Sequence, residues 1–561
     1  MALNMKTRCT VLLLACSLMF ANRACRSGEA ALCPIRLEDA TASSRITFRH
    51  HAGENGQGYI VAGVAAGLAL FDFDGDGRID IFFLNGAPLK GTPGGPWPDA
   101  LYRNNGDFTF TDVTEAAGVG DLGYGLGVTV GDYDQDGLPD LYLNNFGPNV
   151  LYHNNGDGTF SDATSTAAVA NGSKVGAGTC FLDADGDGDL DLYAANYVNF
   201  TYENHVSIKV GSHFLHAGPR YYKPVEDTLF RNNGDGTFTD VSRESGIASV
   251  AGPGMGMVCG DFDDDGDTDA FVCNDEAANF LFQNDGKGHF KESALLAGVA
   301  YDFYGKENSS MGADCGDYDN DGKLDLFMTD YQSEMPVLYH NLGGGLFEDA
   351  TSTAGITNDL YPHVTWGTGF ADFDNDGDRD LYVACGHFDR VESFDDRTSL
   401  QVPNFLLMNT GDGRFTDVSK LCGSGLAVAE SSRGAGFDDL DNDGDIDAVI
   451  LNWNSKPTIL RNESPAGSHW IEIELHGRVT NRDGVGARVR VISGDAVQVD
   501  EVHSGRSYQS HSGSRLHFGL AQKVRADRIE VRWPGGKTEI FPGAASGQLV
   551  RLFEGAGSPE N

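Results

Sequence analysis

The pattern Asp-x-Asp-x-Asp-Gly-x-x-Asp occurs seven times in this chain and limits its folds more than any other feature. Positions 1, 3, 5 and 9 are carboxylates in every copy. They are Asp72, Asp74, Asp76 and Asp80; Asp132, Asp134, Asp136 and Asp140; Asp183, Asp185, Asp187 and Asp191; and Asp261, Asp263, Asp265 and Asp269. The series continues with Asp317, Asp319, Asp321 and Asp325; Asp372, Asp374, Asp376 and Asp380; and Asp439, Asp441, Asp443 and Asp447. Four acids within nine residues repel one another, and a hard dication relieves that repulsion. Side-chain oxygens at 1, 3 and 5, a carbonyl at 7, a further acid and a turn-forming glycine at 6 suit calcium. The expectation is up to seven structural calcium ions. An EF-hand would need an acid at position 12. Here that position holds Phe83, Leu143, Ala194, Val272, Met328, Val383 and Ile450, all apolar. The flanks, such as Leu68-Ala-Leu-Phe and Ile81-Phe-Phe-Leu, read as strands.

A second phrase follows most loops: Leu101-Tyr-Arg-Asn-Asn-Gly-Asp, Leu151-Tyr-His-Asn-Asn-Gly-Asp and Leu229-Phe-Arg-Asn-Asn-Gly-Asp, with weaker copies at Leu281, Leu338 and Leu406. Asn-Gly between alternating apolar flanks signals a hairpin. One unit is therefore strand, aspartate hairpin, strand, loop, strand, Asn-Gly hairpin, strand. Seven such units predict an all-β fold, a seven-bladed β-propeller over residues 35–465. After Ile459-Leu-Arg-Asn-Glu the last strand of the seventh unit is missing, and its counterpart stands at Leu37-Glu-Asp-Ala-Thr41. The N-terminal strand is expected to complete the last blade and remove a sheet edge.

Residues 468–554 change character. Trp470-Ile-Glu-Ile-Glu-Leu, Ala487-Arg-Val-Arg-Val-Ile and Arg528-Ile-Glu-Val-Arg-Trp alternate with period two and carry no aspartate loop. A small β-sandwich or barrel is expected. The formal charge of -42 argues against nucleic acid and anionic membranes as partners. Of the 82 acids, 33 lie in the seven nonapeptides, so much of this charge belongs to the loops. Residues 1–30 read as an export signal, with Lys6 and Arg8 before an apolar run from Thr10 to Phe20. Leu13-Leu-Ala-Cys16 resembles a lipoprotein cleavage box, which keeps a lipid anchor open. No other stretch has membrane-spanning length. Cys180, Cys259 and Cys315 precede aspartate loops and read as small buried residues, and no disulfide-stapled framework is expected.

The aspartate repeats resemble the FG-GAP or VCBS repeats of integrin α-subunit propellers. Asn481-Arg-Asp-Gly-Val-Gly-Ala-Arg-Val, Gly505-Arg-Ser-Tyr-Gln-Ser-His, Leu516-His-Phe-Gly-Leu and Trp533-Pro-Gly-Gly-Lys resemble the ASPIC and UnbV domain. The combination implies an extracellular calcium-binding propeller. The family's third-repeat insertion often carries a Cys pair, which Tyr197–Asp227 lacks.

Away from the loops, that insertion concentrates His205, His213, His216, Tyr221 and Tyr222. Either these form a recognition surface, or their rings pack on a neighbouring blade. His363, Trp366 and His387 flank the sixth loop and are candidates for a pocket at the channel mouth. Gly-x-Ser-x-Gly and His-Glu-x-x-His motifs are absent, and the paired acids are spaced for calcium rather than proton transfer. The expected role is a secreted, monomeric binding or adhesion protein for an extracellular protein or polysaccharide. An enzyme or biosynthetic accessory with a channel-mouth pocket is the alternative.

Overall fold

Residues 33–210, 213–390 and 395–560 are described in this computed structural model. The export-signal reading, residues 1–30, lies outside them. The chain is all-β. Each aspartate loop joins the first two strands of a four-stranded antiparallel sheet, and seven such sheets are present among the described residues. In the first they are Leu68–Phe71, Asp80–Phe83, Ala100–Asn104 and Phe110–Asp112. We number the blades by their aspartate loops. The innermost strand of each blade touches that of the next, and that of blade 7, Ser432–Asp438, touches that of blade 1. The circle is closed by the N-terminal strand Leu37–Asp39, which pairs antiparallel with Thr458–Asn462 in the register Leu37 to Asn462.

That junction carries a disulfide, Cys33–Cys422, between residues 389 apart. Beside it the Leu37 amide donates to the Cys422 carbonyl at 2.9 Å. Local cysteine spacing gave no sign of this bridge, which among the described residues is a single long-range link and not a stapled framework. Cross-links over such long loops stabilise by about 3–5 kcal/mol. Reducing agent or Cys422→Ser is expected to lower the melting temperature by about 5 °C, since the other five described cysteines are free thiols. An unchanged melt would show that strand pairing alone closes the ring.

Seven glycines, one on each blade's innermost segment, surround the axis: Gly67, Gly127, Gly178, Gly256, Gly312, Gly367 and Gly434. A Cβ at any of them would lie 1.7–3.0 Å from another atom. For six the obstacle is a main-chain oxygen, five times that of the next blade. The strands approach too closely for side chains to fill the axis, so something else must satisfy the polar groups there.

A loop of the C-terminal domain does so. This domain has a three-stranded sheet, with Leu516–Ala521, His469–His476 and Leu549–Phe553 in that order, and a five-stranded sheet beside it. The pairing of His469–His476 with Leu549–Phe553 is parallel. Between strands Ala496–Glu501 and Leu516–Ala521, residues 503–513 enter the ring. Ser507 and Ala313 exchange main-chain hydrogen bonds of 2.7 and 3.0 Å. His511 pairs with Leu68 and Leu70, and the Val128 amide donates to Gln509 O at 3.1 Å. Ser507 and Ser512 hydroxyls accept the Thr368 and Phe437 amides. Cys180 Sγ donates to Gly505 O at 3.3 Å, and His503 Nδ1 lies 2.9 Å from Cys259 O. All seven blades are thereby bonded to one plug. Cys180, Cys259 and Cys315 are buried, as expected, and the structure shows why: they stand against it.

Candidate metal centres and the channel mouth

The aspartate loops share one geometry. In six loops the position-1 carboxylate accepts the amides of positions 5 and 6, as Asp76 and Gly77 donate to Asp72 at 3.1 and 2.7 Å and Asp136 and Gly137 to Asp132 at 3.0 and 2.7 Å; in loop 3 Asp183 accepts those of Gly186 and Gly188, positions 4 and 6. The Gly at position 6 has φ from 85° to 102° across all seven loops, a conformation that disfavours any other residue. The ninth Asp takes one amide on each oxygen. In blade 1, Asp80 accepts from Asn104 on the third strand at 2.7 Å and from Phe73 at 3.1 Å. This acid therefore welds loop to sheet, and its remaining lone pairs are what a metal would use. In the metal-free protein, burial pushes these carboxyls far above their ordinary value: Asp80 to about 8, Asp140 to about 9, and the first-position Asp132 and Asp439 to about 7 and 8.

The third-strand asparagine was not singled out by sequence reasoning, although it recurs in Leu-Tyr-x-Asn. Its Nδ2 bridges blades. Asn154 donates to Phe73 O, Asn232 to Tyr133 O, Asn284 to Ala184 O and Asn341 to Phe262 O. Asn409, Asn462 and Asn104 donate to Tyr318 O, Phe373 O and Leu440 O. Each acceptor is the position-2 carbonyl of the preceding blade's loop, so the seven loops are stitched in a circle.

The residues fit a hard cation. Asp74 Oδ1, Asp185 Oδ1, Asp263 Oδ1, Asp374 Oδ1 and Asp441 Oδ1 are buried without a hydrogen-bond partner. All five are position-3 oxygens, at the place where a calcium loop needs a ligand. Asp72, Asp74 and Asp76 each offer an oxygen within 4.8 Å of the others, as do Asp132, Asp134 and Asp136. The loops are not equivalent. Arg103 and Arg461 place guanidinium nitrogens 2.7 and 2.6 Å from Asp74 and Asp441. In blades 2 and 5 the same strand position carries His153 and His340, whose Nδ1 atoms lie 3.2 and 3.5 Å from Asp134 and Asp319.

The C-terminal domain sits on this loop face. Arg515 donates to Gly77 O at 2.8 Å, Asp483 accepts the Asp132 amide at 2.7 Å, and Arg488 donates to Asp261 O at 2.6 Å. Arg532 pairs with Asp261, and Arg379 of loop 6 with Asp500 at 2.7 Å.

On the opposite face, the insertion packs its rings. His205 lies edge-on to Tyr59, with centroids 4.7 Å apart, and the Tyr222 hydroxyl accepts the Val206 amide. Tyr221 is exposed, and the His213 side chain lies outside the described residues. His216 is enclosed, with Nδ1 2.9 Å from Asp389 and Nε2 3.3 Å from Glu54. Burial disfavours its charge, but the two carboxylates outweigh burial and hold it protonated to about 9. Of the pocket expected from His363, Trp366 and His387, Trp366 lines the cavity at the channel mouth and His387 packs on its rings Tyr331 and Phe388, whereas His363 stands apart. Trp366 is fully buried and donates to Gly386 O, and His387 Nε2 lies 3.3 Å from the Tyr331 hydroxyl. His363 bonds Thr398 and lines a different cavity.

The family comparisons agree with the repeats and the C-terminal domain. The model of the FG-GAP-like repeat matches residues 72–143, 132–194, 220–272, 261–328 and 317–383, and that of ASPIC and UnbV matches residues 477–559. Cartilage acidic protein 1 of Homo sapiens is 25% identical over 515 residues, covering 88% of this chain and 63% of the relative. The Mus musculus protein is 24% identical, covering 88% and 64%. The chain thus spans less than two thirds of the length of these curated relatives. Among solved structures, a lectin of Agrocybe aegerita that recognises non-reducing terminal N-acetylglucosamine superposes with TM-score 0.37 at 17% identity, covering 63% of this chain and 79% of that one. Rhamnogalacturonan lyase YesW superposes with TM-score 0.36 at 13% identity, covering 71% of each.

Proposed function

This chain belongs to the family of FG-GAP-repeat proteins that end in an ASPIC and UnbV domain, and on that premise we propose that it is a calcium-loaded extracellular interaction protein. Calcium occupies the aspartate loops as a structural ion. The observation that carries this reading is the set of five orphaned position-3 oxygens, because a buried carboxylate oxygen without a donor is destabilising unless a cation reaches it. With the loop face covered by the C-terminal domain, the opposite face, built from the 197–227 insertion and the segment after Cys385, presents the ligand surface. The ligand class is an extracellular protein or a polysaccharide. No helix among the described residues is long and apolar enough to cross a membrane.

Asp132→Ala is expected to remove about one calcium per chain by metal analysis, with the other loops retained; unaltered stoichiometry would discard loop 2 as a site. Binding is tested by immobilising calcium-loaded protein against extracellular polysaccharides and a soluble extracellular protein fraction. Specific capture that is lost from the stripped protein is the expected result. Absence of capture in both states overturns the proposal.

A further inference from the structure

The mouth of the channel away from the aspartate loops opens into a cavity of about 230 Å³. Its walls come from the ends of second strands. Tyr197 follows Asp191–Asn196, Asp275 and Glu276 follow Asp269–Asn274, Tyr331 follows Asp325–Met328, and Phe388 follows Asp380–Cys385. The rings adjoin one another: Tyr331 and Phe388 lie 5.9 Å apart between centroids, and Trp366 and Phe388 6.1 Å.

The charges in this cavity do not balance. Asp275 is 7% exposed, accepts the Tyr197 hydroxyl at 2.6 Å, and forms no ion pair among the described residues. Burial pushes its carboxyl up to about 7. Among the described residues Glu276 is paired with Arg220 alone, at 3.4 Å, from a guanidinium side chain that is 64% exposed. The other two nearby cations, His216 and Arg433, are already committed. His216 is held between Asp389 and Glu54. Arg433 stacks 4.0 Å from Trp366 and donates to Gly63 O, Ser432 O and the Ser431 hydroxyl, and it does not line the cavity. What remains is an aromatic wall and a buried carboxylate, Asp275, with no ion-pair partner among the described residues, since the lining His216 is engaged by Asp389 and Glu54 and Arg220 lies on Glu276.

We propose that this cavity binds an organic cation, an ammonium or quaternary ammonium group, with Tyr197, Tyr331 and Phe388 as ring contacts and Asp275 and Glu276 as counter-charges. Rings attract such groups through their quadrupoles, and the attraction strengthens as water is excluded. The cavity is smaller than the roughly 300–1,000 Å³ of pockets for drug-sized ligands, so it accommodates a head group rather than a length of polymer. The assignment rests on the binding-protein reading and narrows it to one point of contact. The head group is either that of a free small molecule or the end of a methylated lysine on a partner.

Calorimetric titration of the calcium-loaded protein with choline, with its uncharged isostere 3,3-dimethyl-1-butanol, and with a short trimethyllysine peptide tests this. One saturable site is expected for a cation, with the isostere at least about tenfold weaker. Preference for the peptide assigns a protein source, and preference for choline a free molecule. Glu276→Gln and Asp275→Asn are each expected to weaken binding about tenfold. The Glu276 variant serves if loss of the Tyr197 contact unfolds the other. The proposal is overturned if the isostere binds as well as choline, if a folded variant binds like the parent, or if no cation saturates. In any of those results, capture of an extracellular partner by the same preparation would leave the broader function standing.

Discussion

Stripping calcium from the intact protein on a chelating resin is expected to lower its melting temperature by about 10–20 °C at neutral pH. A site held at ten times its dissociation constant contributes about 1.4 kcal/mol, and seven sites contribute about 10 kcal/mol. In a ring of this size each kcal/mol moves the transition by one or two degrees. The pH dependence supplies a second signature. Asp80, Asp140, Asp132, Asp317 and Asp439 have folded values of about 8, 9, 7, 7 and 8 against an ordinary 3.8. Because these values are raised by burial, the metal-free fold takes up protons that the unfolded chain has released. Its stability is therefore highest at low pH and is lost as pH rises through about 7–9. The stripped protein should melt higher at pH 5.5 than at pH 8.5. Calcium replaces the protons, so the loaded protein should not show that loss. A stripped protein whose melting matches the loaded one at pH 8.5 would remove the premise of the proposed function.

The second large effect is expected at the axis. Gly67→Val should destabilise the fold by about 3 kcal/mol or more and release the C-terminal domain to limited proteolysis near residues 463–468. A Cβ at Gly67 lies 1.7 Å from Gln509 O and 2.4 Å from its carbonyl carbon. Both are main chain, so no rotamer change relieves the clash. Either the blade 1 strand moves outward or the plug backs out. Withdrawal would uncouple the His511 pairing to Leu68 and Leu70 and, through the continuous segment, the Ser507 pairing to Ala313. Gly467→Ala is the control, since a Cβ there meets nothing within 4 Å. Gly67→Val protein that melts like the parent and resists cleavage would show that the plug does not brace the ring.

The residues that were legible in the chain are those whose interactions are local. Asp72 to Asp80 close a turn on themselves, with the first acid bonded to the amides four and five residues later, so spacing alone reveals the turn. The closing strand was also readable, because a repeat lacking its last phrase at one end and carrying it at the other has one economical solution. The linking asparagines were visible as a recurring letter but not as a function. Their second acceptor lies in another blade, about 80 to 100 residues earlier for Asn154 and Asn232. His363 parted from Trp366 and His387 for the related reason that nearness along the chain does not fix which side of a strand end each side chain takes.

The repeat, the number of aspartate loops and the all-β class were readable in the chain, because all of these follow from short-range periodicity. Only the tertiary structure decided what fills the axis, which face is covered and which thiols pair. Residues 503–513 have no apolar period. Their partners are main-chain groups spread over all seven blades, positioned by ring geometry that no local pattern encodes.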